Sequence, residues 1–251
     1  MPPCSQSPPS LSHFTQKEWA IKNGFFVPTQ TFEPSDSFDA LCEHLEPLQK
    51  LFWTQQSSLY LRGSMLEEAY PHPLADLDLF LVGPAAPAKI LAPRVKQNLA
   101  TIFSRVDLVC LTHLDVASNP CFRLLLHTRS LIIAGNPLSF QPVPANWETA
   151  QAHWRQYRIT EIPDRLICDG TSNVCMTKNL LRAIALLQLP NQRFSRDLAT
   201  CTAWGIELSP PHVGECFLQA YHHIGKQQTP PLDIRPAKDW LRTQWTQVER
   251  W

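Results

Sequence analysis

Three short stretches carry side chains whose types and spacing suit phosphate chemistry. The first is Arg62-Gly63-Ser64, which ends the run SLYLR at 58–62 and turns the chain. The second is Asp76-Leu77-Asp78, which follows Ser64 after eleven intervening residues and opens the apolar run DLDLFLV. The third is Asp107, inside VDLVCL at 106–111. Side chains alternate along a strand, so Asp76 and Asp78 share one face, about 7 Å apart, while Leu77, Leu79 and Leu81 turn to the other. Hard divalent cations take oxygen ligands, and Mg²⁺ is usually held by one or two carboxylates together with substrate phosphates. If the strand of Asp107 lies beside that of Asp78, the three acids suit two Mg²⁺ ions. One would activate an attacking hydroxyl and the other would steady a leaving pyrophosphate. The expected metal set is Asp76, Asp78 and Asp107. Asp107 either completes that set or acts as general base on the acceptor hydroxyl.

Gly63 and Ser64 supply the complementary half. They join a strand to a short helical turn over MLEEAY, and a helix N-terminus offers free N–H groups and a positive dipole end to a phosphate. Glycine lets the phosphate approach the backbone, and the Ser64 hydroxyl can donate to it. Each feature has an ordinary structural explanation when taken alone. Asp-x-Asp is common, Ser64 and Glu67 fit a capping box, and Asp107 near Arg105 suits a strand edge. The joint order carries the chemistry: strand, Gly-Ser, spacer, acid-x-acid opening an apolar strand, then a third acid in a later apolar strand.

The elements that must position these residues are legible from periodicity. Phe38, Leu41, Cys42, Leu45, Leu48 and Phe52 recur at helical spacing over 36–53, with Ser35 or Asp36 as N-cap and Pro47 set to kink or split the helix. Strands are predicted at 58–62, 76–82 and 106–111, and LIIAG at 131–135 reads as a short apolar strand or turn. Helices are predicted over 88–103, with Pro93 a weak point, and over 120–128. The segment 136–146 holds three prolines and reads as a linker. Beyond it no strong strand is expected. Helices are predicted at 173–189, 197–204, 213–223 and about 236–249. Residues 1–12, rich in Pro and Ser, begin a mobile segment assigned to 1–30. An α+β unit over 31–145, built on a small mixed sheet, then precedes an α-helical bundle over 146–251.

Composition bounds the function. The chain has 251 residues, with 22 Lys+Arg against 22 Asp+Glu. That balance excludes a strongly basic nucleic-acid binder, although a local basic groove stays open. Hydrophobic residues at 44% suffice for a sizeable core and exclude global disorder. No run is long and apolar enough for a membrane helix, so no membrane partner is expected, and the N-terminus lacks the layout of a secretory signal. The eight cysteines form no C-x-x-C pair. Cys42, Cys110 and Cys216 read as small hydrophobes, and a reducing, cytoplasmic setting is the simplest expectation. His222-His223 and the late tryptophans are assigned to surface, capping and packing roles.

The set Gly63, Ser64, Asp76, Asp78 and Asp107 resembles the polymerase-beta-type nucleotidyltransferase superfamily, directly over 58–111. HTRSLIIAGNPLSFQPVP, and then KNLLRAIALLQ, FSRDLATCTAWGIELSP and FLQAY, are similar to bacterial aminoglycoside (streptomycin/spectinomycin) adenylyltransferases. The resemblance implies a nucleotidyltransferase domain followed by a helical domain, with ATP as substrate and AMP transferred to a hydroxylated small molecule. It implies nucleotide-phosphate contacts for Arg182 and Arg196, with Lys178, one turn before Arg182, as a further candidate. Arginine's bidentate fork suits that task. The chain departs from the family after the third acid, where only THLDVASNPCF precedes the next helix and the family's substrate-facing stretch has no counterpart. A polycationic aminoglycoside wants acidic groups, for which Asp169 is the first candidate and Glu148, Asp164 and Glu207 are weaker ones. Transfer to RNA or to a protein side chain is the alternative acceptor class. A non-catalytic nucleotide-binding or partner-binding protein is the alternative outside enzymes.

Overall fold

The computed structural model describes residues 18–28, 36–63, 77–166, 171–224 and 231–248. The described chain divides into two compact units. One spans Phe25–Pro144, and the other joins the described residues up to Gly24 to those from Ala145 onward.

In the unit Phe25–Pro144, α1 (Asp36–Leu45) leads through one 3-10 turn, Glu46–Leu48, into α2 (Gln49–Thr54). The split falls at Pro47, as its missing N–H and ring require. Four strands follow: β3 (Ser58–Arg62), β4 (Leu77–Val82), β5 (Val106–Leu111) and β6 (Ser130–Gly135). They lie in the order β5-β4-β3-β6. β3 is antiparallel to both of its neighbours, whereas β4 and β5 are parallel. A parallel pair needs a crossover, and α3 (Ala85–Leu99) provides it. Two short helices, α4 (His113–Ser118) and α5 (Pro120–Thr128), return the chain from β5 to β6. The lower labels β1 and β2 belong to Ile21–Lys22 and Phe25–Phe26.

Period-two alternation divides the strand residues between two cores. Leu59, Leu61, Leu77, Leu79 and Leu81 pack with Leu41, Leu45 and Phe52 of α1 and α2 and with Leu91, Val95 and Leu99 of α3. On the other face Tyr60, Phe80, Val82 and Leu111 pack with Val116 of α4 and Leu126 of α5, joined by Phe122, Leu138 and Phe140. Each fully buried leucine contributes roughly 1.5–3 kcal/mol, so both faces of β4 hold it firmly. That firmness gives the site at its start a rigid base.

Three expectations need correction. The segment 1–30 is not wholly mobile: Ile21–Lys22 and Phe25–Phe26 pair across Asn23-Gly24, both at positive φ (53° and 78°), as a tight hairpin turn requires. Phe26 is fully buried and its N–H donates to the Val143 carbonyl. Pro93 does not interrupt α3, which runs through it and stops at Leu99 rather than 103. Pro93 is exposed, on the side where water can take up the carbonyl it leaves free. Cys110 is exposed rather than buried, because β5 is an edge strand.

The second unit is helical: α6 (Trp147–Tyr157), α7 (Thr171–Leu186), α8 (Leu198–Leu208), α9 (Pro211–His223) and α10 (Arg235–Val248). Two two-residue strands, β7 (Arg165–Leu166) and β8 (Leu232–Asp233), pair antiparallel beside them. α6 escaped the sequence reading. Its buried face is Thr149, Ala150, His153 and Tyr157, which has helical spacing but little aliphatic character. Asn146, placed in the linker, is its N-cap and accepts from the Thr149 N–H at 3.1 Å. Trp154 stacks on Trp245 at 4.3 Å and nearly parallel, fastening α6 to α10. His222 is exposed and His223 buried at the end of α9. No described helix is long and apolar enough to cross a membrane.

Candidate active site

The parallel register of β4 and β5 places Asp78 directly beside Asp107. The antiparallel register of β3 and β4 places Arg62 opposite Asp78, and Ser130 of β6 completes the row beyond Arg62. Register partners share a face, so Asp107, Asp78, Arg62 and Ser130 form one row across all four strands. That face is the one of Tyr60, Phe80 and Val82, opposite Leu77, Leu79 and Leu81, as the alternation predicts for Asp78. Side-chain exposure is 29% for Asp78 and 50% for Asp107, so both are open to a ligand while seated on a packed sheet.

Gly63 shapes the same point. Its φ is +84°, and a Cβ built on it would lie 2.4 Å from Oδ2 of Asp78. The backbone at the end of β3 therefore passes against the Asp78 carboxylate at a distance that only glycine permits.

Arg62 is the residue the sequence reading left without a role. Its Nη2 lies 3.4 Å from Oδ1 of Asp78 and 3.8 Å from Oδ2 of Asp107. Its guanidinium carbon sits 4.4 Å above the Phe80 ring, a cation–π contact that fixes where the charge is held. Its Nε is buried with no hydrogen-bond partner among the described residues. The antiparallel connection between β3 and β4 could have pointed to it, since the last residue of one strand must face the first residues of the next.

Ser64, Asp76 and Asp169 lie outside the described residues. Among the described residues no group of three or more His, Cys, Asp or Glu could hold a metal. Asp78 and Asp107 are two carboxylates in contact with one cation. Their chemistry fits a hard divalent ion.

In the helical unit, Nε of Arg182 on α7 donates to the backbone oxygen of Arg196 at 3.3 Å, so two of the predicted phosphate ligands are neighbours. Asp197, next in sequence, caps α8 by accepting from the Thr200 N–H at 2.8 Å and from its hydroxyl at 2.7 Å. Lys178 is half-buried one turn earlier on α7. His153 is wholly buried against Tyr157 and Phe194. Burial, assisted by the charge of Arg196, pushes its pKa down to about 3. Burial pushes the Cys201 thiol up to about 12, with the charges of Arg182 and Arg196 acting the other way. Of the weaker acidic candidates, Asp164 accepts from the Lys238 ammonium at 2.8 Å.

Among solved structures the chain is similar to spectinomycin adenyltransferase AAD(9) from Enterococcus faecialis, solved with ATP and spectinomycin. The TM-score is 0.55 and the identity 14%, over 81% of this chain and 98% of that one. The fold is nucleotidyltransferase-like. No protein-family model matches the chain, and no curated protein sequence matches it. The α+β expectation thus holds, with a mixed sheet followed by a helical region. On this nucleotidyltransferase-like fold the acid row stands where β4 and β5 begin and β3 ends.

Proposed function

We propose that this protein is a nucleotidyltransferase that moves a nucleoside monophosphate, AMP from ATP, to a hydroxyl of a small molecule such as an aminoglycoside, with release of pyrophosphate. The observation that carries the reading is the in-register pair Asp78 and Asp107, with the Gly63 backbone against the Asp78 carboxylate. The nucleotidyltransferase-like fold and the ATP and spectinomycin of the similar structure support it. Asp76 and Asp78 are assigned to hold Mg²⁺. When bound, Mg²⁺ would neutralise triphosphate charge and favour the ionised acceptor oxygen. Gly63 and Ser64 are assigned to the β- and γ-phosphates, and Arg182, Arg196 and Lys178 to further phosphate oxygens. The acceptor oxygen attacks the α-phosphorus in line, and the bond to the pyrophosphate oxygen breaks. Asp107, the more exposed of the two acids, either completes the metal set or takes the acceptor's proton. The protein's contribution is positioning and charge complementarity, as in other phosphoryl transfers.

The test is incubation with α-labelled ATP and Mg²⁺ and either an aminoglycoside panel that includes spectinomycin, tRNA, or a protein extract. Label is expected in a small molecule, and Asp78→Asn is expected to lower the rate roughly thousandfold without unfolding the chain. Label in RNA or protein would move the acceptor class. A near-normal rate for Asp78→Asn would overturn the reading.

A further inference from the structure

Arg62 places a fixed positive charge in the position a metal ion would compete for. Its guanidinium reaches both carboxylates of the acid pair, at 3.4 Å and 3.8 Å. Both separations sit at or beyond the limit of a good hydrogen bond, so the contact is charge pairing rather than a tight bidentate clamp. The arginine does not need the acids to hold it in place. It is the last residue of a central strand, its side chain is only 22% exposed, and its charge rests on the Phe80 ring. Two carboxylates side by side on a parallel pair repel each other, and the guanidinium reduces that local charge from two negative to one.

We propose that Arg62 is a built-in counter-ion that competes with divalent metal for Asp78 and Asp107, so that the acid pair loads metal weakly until a triphosphate arrives. The proposal rests on the nucleotidyl-transfer reading above. A triphosphate brings additional oxygen ligands for the ion and a second anionic partner for the guanidinium. Metal and nucleotide therefore bind cooperatively, each raising the affinity of the other by the same factor. Arg62 is a positioning residue here, acting through the two acids.

The experiment measures Mn²⁺ binding to the full chain by electron paramagnetic resonance, with and without a non-hydrolysable ATP analogue. The variants are Arg62→Met, Arg62→Gln, Arg62→Lys and Asp78→Asn. Met keeps an apolar stem over Phe80, Gln is a second neutral replacement, and Lys keeps the charge; thermal melts report whether each folds. Without nucleotide, Arg62→Met and Arg62→Gln are expected to bind Mn²⁺ roughly tenfold or more tightly than the unsubstituted chain, with Arg62→Lys closer to it. Equal or weaker binding by the folded neutral variants, with Asp78→Asn still abolishing it, overturns the role of Arg62 and leaves the nucleotidyltransferase reading standing. Absence of Mn²⁺ binding in every form, even with the nucleotide analogue, removes that reading and the proposal with it.

Discussion

Gly63 shows how narrowly one residue can define the site. Alanine there would need a left-handed backbone at φ +84° and would drive its methyl group to 2.4 Å from Oδ2 of Asp78. One of the two must move. Gly63→Ala is expected to cost about 1 kcal/mol or more in stability and to slow nucleotide transfer roughly a hundredfold, because displacing a catalytic group by about 1 Å has that effect. Denaturant melts and steady-state rates measure the two separately. Asp107 makes a different prediction from Asp78. If it takes the acceptor's proton, Asp107→Asn lowers kcat roughly 10²- to 10⁴-fold while nucleotide binding in calorimetry is largely retained. Asp78→Asn, by contrast, weakens metal-dependent nucleotide binding itself.

At the scale of elements, the acid row exists because three strands agree in register. β4 is held on both faces by leucines on one side and Phe80 and Val82 on the other, so a one-residue slip would turn Asp78 into the leucine core. The helical unit has an equivalent point of control at the start of α8. Asp197 caps that helix, and the adjacent Arg196 carbonyl receives the Arg182 guanidinium. Asp197→Ala is expected to lower stability by about 1 kcal/mol through loss of the cap, read as a shift of the denaturation midpoint at unchanged m. If Arg182 and Arg196 hold phosphates, the same variant also raises the KM for the nucleotide with little effect on kcat.

For the molecule as a whole, acid sensitivity is predicted to reside in His153. Its folded pKa is about 3, against an ordinary value of 6.5, because burial opposes the charged ring and Arg196 repels it. Between those values the unfolded chain binds a proton that the folded chain refuses. Stability is therefore full above about pH 6.5 and falls as the pH drops toward 3, by up to about 1.4 kcal/mol per pH unit. His153→Phe preserves a ring against Tyr157 and Phe194 and is expected to flatten this slope. Urea melts between pH 4.5 and 7.5 measure it, and an unchanged slope in the variant would place the acid sensitivity elsewhere.

What the sequence alone determined was local. Alternation put Asp78 on the face opposite Leu77, Leu79 and Leu81, helical periodicity located α1, α5 and α7 to α10, and Pro47 marked the break between α1 and α2. Each of these follows from the geometry of a few consecutive residues. α6 was hidden because His153 and Thr149 stand where aliphatic residues would have announced a buried face. The Asn23-Gly24 hairpin was hidden because it was grouped with a proline-rich tail. Only the tertiary structure decided that Asp107 lies beside Asp78 and that Arg62 reaches both. Register between strands separated by a crossover helix is set by how two cores pack against the sheet, and that packing draws on leucines from α1 to α3 far away in the chain.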